Sequence, residues 1–153
     1  MNGEKEFKQG VELLGNFSNT NVRDAMEFFI KAADEGHTEA IYYVGYFNLF
    51  GEPQIHRNVK QAIECLQKCM DDGLSKAKYP MAIIYLNGIG MEKDEEKAYK
   101  LLEESYKEGI CDALNLLTYC CWKGIGTDKD ISKAKEYNAI ARQMCLPGSE
   151  IIF

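Results

Sequence analysis

Six cysteines, two histidines and several carboxylate pairs are the residues of this chain whose types could do chemistry. Cys65 and Cys69 stand four apart, a helical spacing at which two thiolates can join in holding a soft metal. No histidine or Cys-x-x-Cys partner stands at a useful distance in sequence, so the pair reads as packing. His37 and His56 fall in connections, outside any His-Glu-x-x-His or triad context, and read as solvated loop residues. Asp71/Asp72 and Glu103/Glu104 are adjacent pairs, whereas a glycosidase pair must converge across a cleft. The stretches NGIGMEK (87–93) and KGIGTDK (123–129) are glycine-rich but lack the Gly-Lys-Ser/Thr of a phosphate-binding loop. No catalytic residue, metal-ligand set or cofactor motif emerges, and the chain is expected not to be an enzyme.

Composition narrows the partners. The 153 residues are 46% apolar and 27% charged, as in an ordinary globular domain, with a net charge of −6. That sign argues against nucleic acid, whose binders present basic surfaces, and against anionic membranes. No apolar run approaches the roughly 18 residues of a membrane span. The opening MNGEKEFKQG is polar and does not read as a secretory leader. A cytoplasmic chain with free thiols is therefore expected; secretion after processing is the alternative.

The elements that position these residues follow a period of 36 or 37. Ala25, Ala62, Ala98 and Ala134 are 37, 36 and 36 apart. The same spacing recurs in Gly36, Gly73 and Gly109, in Ala40, Ala77 and Ala113, and in Gly15, Gly51, Gly88 and Gly124. Repeats of this length are helix–turn–helix units stacked in a row. The apolar recurrence predicts helices over 3–14, 22–35, 38–50, 59–72, 75–87, 95–108, 111–123 and 131–145, with caps at Asn21, Asn58, Asp94 and Asp130. Glycine at 36, 73 and 109 suits the left-handed residue that ends a helix. With Ser75 as cap, Pro80 falls just past the first turn, which predicts a kinked or late-starting helix. Cys69 takes the small-residue slot of Ala32, Ser105 and Ala141, Cys65 the slot of Phe28, Leu101 and Tyr137, and Cys120 that of Phe47 and Ile84. All three therefore read as core. Asn138 in the slot of Phe29, Leu66 and Leu102 reads as the polar outer face of a terminal repeat.

These repeats resemble Sel-1-like repeats, relatives of tetratricopeptide repeats. The third carries the pattern through Ala77, Tyr79, Tyr85, Gly88, Gly90, Asp94, Lys97, Ala98 and Gly109. The fourth carries it through Ala113, Gly124, Gly126, Asp130, Lys133 and Ala134, and the second through Ala40, Tyr42, Gly45, Gly51, Lys60, Ala62 and Gly73. The first matches mainly through Ala25, Ala32, Ala33 and Gly36. EPQIHRN (52–58) replaces the Gly-x-Gly turn. The resemblance implies an all-α fold, a right-handed α-α superhelix of four helix–turn–helix repeats (about 4–36, 37–73, 74–109 and 110–145) forming one domain over 1–146. It implies a scaffold for proteins or peptides. A disulfide-clamped subset of the family has one bridge per repeat and has been linked to β-lactam hydrolysis. Cysteines here do not recur once per repeat, and Cys111–Cys120 is the one bridge that pattern would leave open.

By analogy with tetratricopeptide geometry, the first helices present a concave stripe. Phe7, Val11 and Leu14 would contribute from the first repeat, and Tyr42, Tyr46, Leu49 and Phe50 from the second. Tyr79, Ile83, Leu86 and Asn87 would follow from the third, and Asn115, Tyr119, Trp122 and Lys123 from the fourth. A separate set on the same helices, Val44, Phe47, Met81, Ile84, Leu117 and Cys120, serves the core. Tyr and Trp dominate protein interfaces, so Phe7, Tyr42, Tyr46, Leu49, Tyr79, Ile83, Tyr119 and Trp122 are the expected partner-binding residues. The expected role is a partner-binding module, as a monomer or weak homodimer, and the resemblance implies an adaptor or a toxin-immunity protein. A self-assembling unit is the alternative, with the apolar 147–153 tail as a cap or a docking segment.

Overall fold

Alternating helices and glycine-ended turns carry the chain. In the computed structural model, which describes residues 3–15, 21–52 and 55–144, the α-helices are α1 Glu4–Gly15, α2 Asn21–Asp34, α3 Thr38–Phe50, α4 Val59–Asp71, α5 Lys78–Asn87, α6 Glu95–Lys107, α7 Ala113–Lys123 and α8 Ile131–Met144. A 3-10 turn, Ser75–Ala77, precedes α5. Among the described residues the only β pairing is an isolated bridge between Glu52 and Ile55. The tail at 147–153, Cys145 and residues 53–54 lie outside the described residues, as does the side chain expected to cap α2, that of Asn21.

Among the described residues, α4, α6 and α8 begin with the same cap, and α2, α4 and α6 end with the same glycine turn. The side-chain oxygen of Asn58 accepts from the Gln61 amide at 3.2 Å, Asp94 from Lys97 at 2.9 Å and Asp130 from Lys133 at 2.9 Å. These caps put Gln61, rather than the Lys60 of the family pattern, in register with Lys97 and Lys133. The amides of Asn58, Asp94 and Asp130 also donate to the carbonyls of Asn48, Tyr85 and Cys121, at 2.9, 3.0 and 2.8 Å. Each turn is thereby tied back onto the helix before it. At the other end Gly36, Gly73 and Gly109 have φ of 87°, 82° and 93°. The following amides, of His37, Leu74 and Ile110, reach the carbonyls of Ala32, Cys69 and Ser105, closing three Schellman ends.

Pro80 decides where α5 starts. Ser75 does not cap an α-helix; Ser75–Ala77 forms the 3-10 turn instead, and Pro80 becomes the third residue of α5. In a first turn its missing N–H has no intrahelical partner to lose. The late start expected from the proline is what the backbone adopts.

The helices pack as two compact units, Met1–Ala77 and Lys78–Phe153, each holding two helix pairs. In the first, Phe29 is fully buried among Ala25, Met26, Ala32, Ala40, Val44 and Phe47. Its ring stacks on Tyr43 at 4.6 Å and 9°. Gly45 lets α3 and α4 close together: a Cβ there would lie 3.0 Å from Cys65 Cβ and Leu66 Cγ. In the second unit Met81, Ile84, Leu102, Leu114, Leu117 and Cys120 are fully buried. The apolar set assigned to the core, Val44, Phe47, Met81, Ile84, Leu117 and Cys120, is buried throughout.

Asn138 differs from expectation. It is 7% exposed, and its Oδ1 has no protein partner. It sits inside the α7–α8 packing beside buried Ala134 and Ala141, rather than on an outer face.

Candidate partner-binding faces

On α3 the side chains at 42, 46 and 50 follow one another a turn apart. Tyr42 and Tyr46 have ring centroids 5.9 Å apart, and Tyr46 and Phe50 4.6 Å apart. Tyr42 and Tyr46 are half-buried and Phe50 is 44% exposed. Leu49, expected in this stripe, is 1% exposed and belongs to the core. The reason is that α3 is apolar around nearly its whole circumference and packs on both α2 and α4. Phe7 is half-buried and held within the first unit: it stacks on His37 at 4.3 Å and lies near Phe29 at 5.9 Å and Tyr43 at 6.0 Å.

In the second unit Tyr79, Ile83 and Trp122 are half-buried and Tyr119 is 40% exposed. Lys123 Nζ stands 4.1 Å from the Trp122 ring centroid, a favourable cation–π geometry. Asn87, at the end of α5, donates from Nδ2 to the Ile83 carbonyl at 2.9 Å. Each unit thus carries a first-helix face of aromatic and aliphatic side chains that its own core does not consume.

The pattern of repeats matches known proteins along most of the chain. The Sel1 repeat profile matches residues 13–37, 38–68, 75–110 and 111–137. The chain belongs to the Sel1 repeat family. Among curated relatives, Protein sel-1 homolog 2 of Homo sapiens is 32% identical over 97 residues, and that of Rattus norvegicus 31% over 97 residues. Each alignment covers 63% of this chain and only 14% of the relative. Among solved structures, a Sel1 repeat protein from Oxalobacter formigenes superposes with a TM-score of 0.79 at 22% identity, covering 92% of this chain and 56% of that one. A protective antigen of uropathogenic Escherichia coli strains displaying an SLR fold gives 0.76 at 21%, covering 94% of this chain and 31% of that one. At such identities the likeness speaks to the fold, an all-α solenoid of helical repeats. Sel1 repeats generally serve as protein-interaction modules.

Two constellations in these Sel1 repeats have no signal in the periodicity. His37 is not a solvated loop residue. Its Nδ1 accepts from the Ala40 amide at 3.3 Å, capping α3, and its Nε2 lies 3.0 Å from Glu4 Oε2. With Nδ1 accepting, Nε2 carries the proton and donates to the carboxylate. The ring so links α1 to α3, and only the tertiary fold brings positions 33 apart together. His56 is exposed.

The second constellation joins the third and fourth repeats. Lys133 Nζ donates to Tyr99 OH at 2.8 Å and to Glu103 Oε1 at 3.1 Å. Tyr137 OH donates to the same oxygen at 3.5 Å, and Tyr99 OH lies 3.6 Å from Cys121 Sγ. In the third repeat the matching lysine, Lys97, finds Tyr85 OH at 2.7 Å. The fourth has Cys121 in the Tyr85 slot, and Tyr99 reaches over from α6 to supply the hydroxyl. Burial pushes the Glu103 carboxyl up, but hydrogen bonds from Lys133 and Tyr99 outweigh it and hold it below its ordinary 4.5. Burial, then the Cys121 contact, drives the Tyr99 phenol far up.

Cys69, Cys120 and Cys121 are buried in the core, and Cys65 and Cys111 are half-buried. Cys65, Cys69, Cys111, Cys120 and Cys121 are free, so Cys111 and Cys120 are not bridged. Burial raises Cys69 to about 12 and Cys120 to about 11, which leaves both poor nucleophiles. Cys69 Sγ donates to the Thr38 carbonyl at 3.5 Å. Among the described residues no group of three or more His, Cys, Asp or Glu is placed to hold a metal ion, and no helix is long and apolar enough to cross a membrane.

Proposed function

We propose that this chain is a non-enzymatic interaction module that binds a protein or peptide through the first-helix faces of its repeats. Tyr42, Tyr46 and Phe50 act in the first unit, and Tyr79, Ile83, Tyr119 and Trp122 in the second. The observation that carries this reading is the division of labour on α3, α5 and α7. One apolar set is buried, and a second, rich in Tyr and Trp, is left partly exposed. Large aromatic side chains with a polar atom suit an interface that is wet before binding and dry after it. An adaptor or a toxin-immunity protein, cytoplasmic and monomeric or weakly dimeric, is the role these faces fit. Buried free thiols are consistent with a reducing compartment.

The test is peptide display against the purified chain, followed by affinity measurement on the selected peptides. Tyr46→Ala combined with Trp122→Ala is expected to weaken binding about thirtyfold or more, the effect of losing interface hot spots. Lys100→Ala, on an exposed part of α6, is expected to leave it unchanged. Selected peptides indifferent to the double substitution would overturn the reading.

A further inference from the structure

Tyr42 and Tyr43 are consecutive on α3, yet their rings stand at 73° with centroids 5.6 Å apart, forming two walls of a corner. Both walls are braced. Tyr43 stacks on the buried Phe29 at 4.6 Å, and Tyr42 leans on Tyr46 at 5.9 Å. A cation already stands in the corner. Lys76 Nζ lies 4.7 Å from the Tyr42 centroid and 5.2 Å from that of Tyr43. Glu39, one turn earlier on α3, pairs with the same ammonium at 3.5 Å. Two aromatic faces near a right angle with a carboxylate beside them form the environment in which ammonium and guanidinium groups are held.

The occupant comes from a short turn and reaches solvent at its edge. Lys76 sits on the three-residue 3-10 turn rather than on an α-helix, and its side chain is 28% exposed. A four-carbon stem can swing the ammonium into water without moving the backbone. The two rings are held in place by their packing on Phe29 and Tyr46. A partly wet ion pair of this kind contributes little to folding, so exchanging its cation costs the fold little. The chain's charge of −6 favours a basic partner in the encounter.

We propose that Glu39, Tyr42 and Tyr43 form a receptor for a lysine or arginine side chain of a basic partner protein, and that Lys76 occupies it as an internal placeholder. This rests on the reading of the α3 face as a protein-binding surface and adds the chemistry of what it selects. An intramolecular competitor at millimolar effective concentration keeps isolated cations out, so only a partner with further contacts along the face displaces it.

The experiment follows the Tyr42 and Tyr43 ring resonances by NMR, assigned by Tyr→Phe substitution, during titration with acetyl-Gly-Lys-Gly-amide or its Nε-acetylated counterpart. Lys76→Ala and Lys76→Gln are each expected to bind the charged peptide about tenfold more tightly than the unsubstituted chain, as removal of a cation–π competitor implies. The acetylated peptide is expected to gain nothing, and Glu39→Gln added to Lys76→Gln is expected to abolish most of the gain. If Lys76→Ala loses helicity by circular dichroism, Lys76→Gln, which keeps the stem over the rings, decides the matter. Equal responses to the two peptides, or no response in a folded Lys76→Gln chain, would overturn the inference. If the corner ignores cations while display-selected peptides still depend on Tyr46 and Trp122, this inference alone falls. If those peptides do not depend on that pair, the broader reading falls.

Discussion

At the scale of single residues, the charged groups of the second unit bear on stability and its pH dependence. Lys133, Glu103, Tyr99 and Tyr137 are joined by hydrogen bonds to one another. The Glu103 carboxyl lies below its ordinary 4.5 in the folded chain. It therefore contributes stability above that value, and the contribution disappears as pH falls through the lowered one. Lys133 is raised above its ordinary 10.5 by its bond to Glu103. Its contribution is whole below 10.5 and is lost as pH rises through the raised value. Glu103→Gln is expected to cost about 1 kcal/mol at neutral pH, a modest value because both partners are partly wet. The difference from the unsubstituted chain should close as pH falls from 4.5 through the lowered value. Urea denaturation across that range checks it, and a pH-independent difference would assign the loss to packing.

At the scale of elements, glycines set how closely helices and turns approach. Gly126 has φ 67°, and a Cβ on it would run into the Glu95 carbonyl at the start of α6. Backbone cannot yield as a side chain can, so Gly126→Ala is expected to cost about 3 kcal/mol or more. Gly45→Ala places its methyl 3.0 Å from Cys65 Cβ and Leu66 Cγ, so α3 and α4 must part by a few tenths of an ångström. About 1 kcal/mol of helix propensity offsets part of that strain, so the net cost is expected to be smaller, about 1–2 kcal/mol. Thermal unfolding of the two variants side by side measures the contrast. The period makes both positions visible as glycine, but it cannot rank them, because the rank depends on what each Cβ would meet.

At the scale of the whole molecule, the helices within each unit contact their neighbours in sequence. Stability in such an array is a sum over repeats and adjacent interfaces, rather than one indivisible core. Phe29→Ala, which empties the centre of the first unit, is expected to cost about 3–5 kcal/mol. Loss of hydrogen-exchange protection should concentrate in α1 to α4 and leave α7 and α8 near their original values. Uniform loss across all helices would show a single cooperative core instead.

The sequence by itself determined the number of repeats, the helix–turn–helix grammar, the glycine ends, the caps at Asn58, Asp94 and Asp130 and the buried set on α3, α5 and α7. Those features are local: they depend on residues one to seven positions apart, and a periodic chain states them four times. It also located the aromatic faces, though not which members stay open. Leu49 shares its register with Leu86 and Trp122, yet it is buried because α2 and α4 close around α3. Tertiary structure alone decided that Leu49 leaves the face and that His37 bonds Glu4. It alone decided that Tyr99 crosses to Lys133 and that Lys76 stands between Tyr42 and Tyr43. Each of these joins residues about 30 positions apart, where no spacing rule operates and only the packing of one repeat on the next sets the distance.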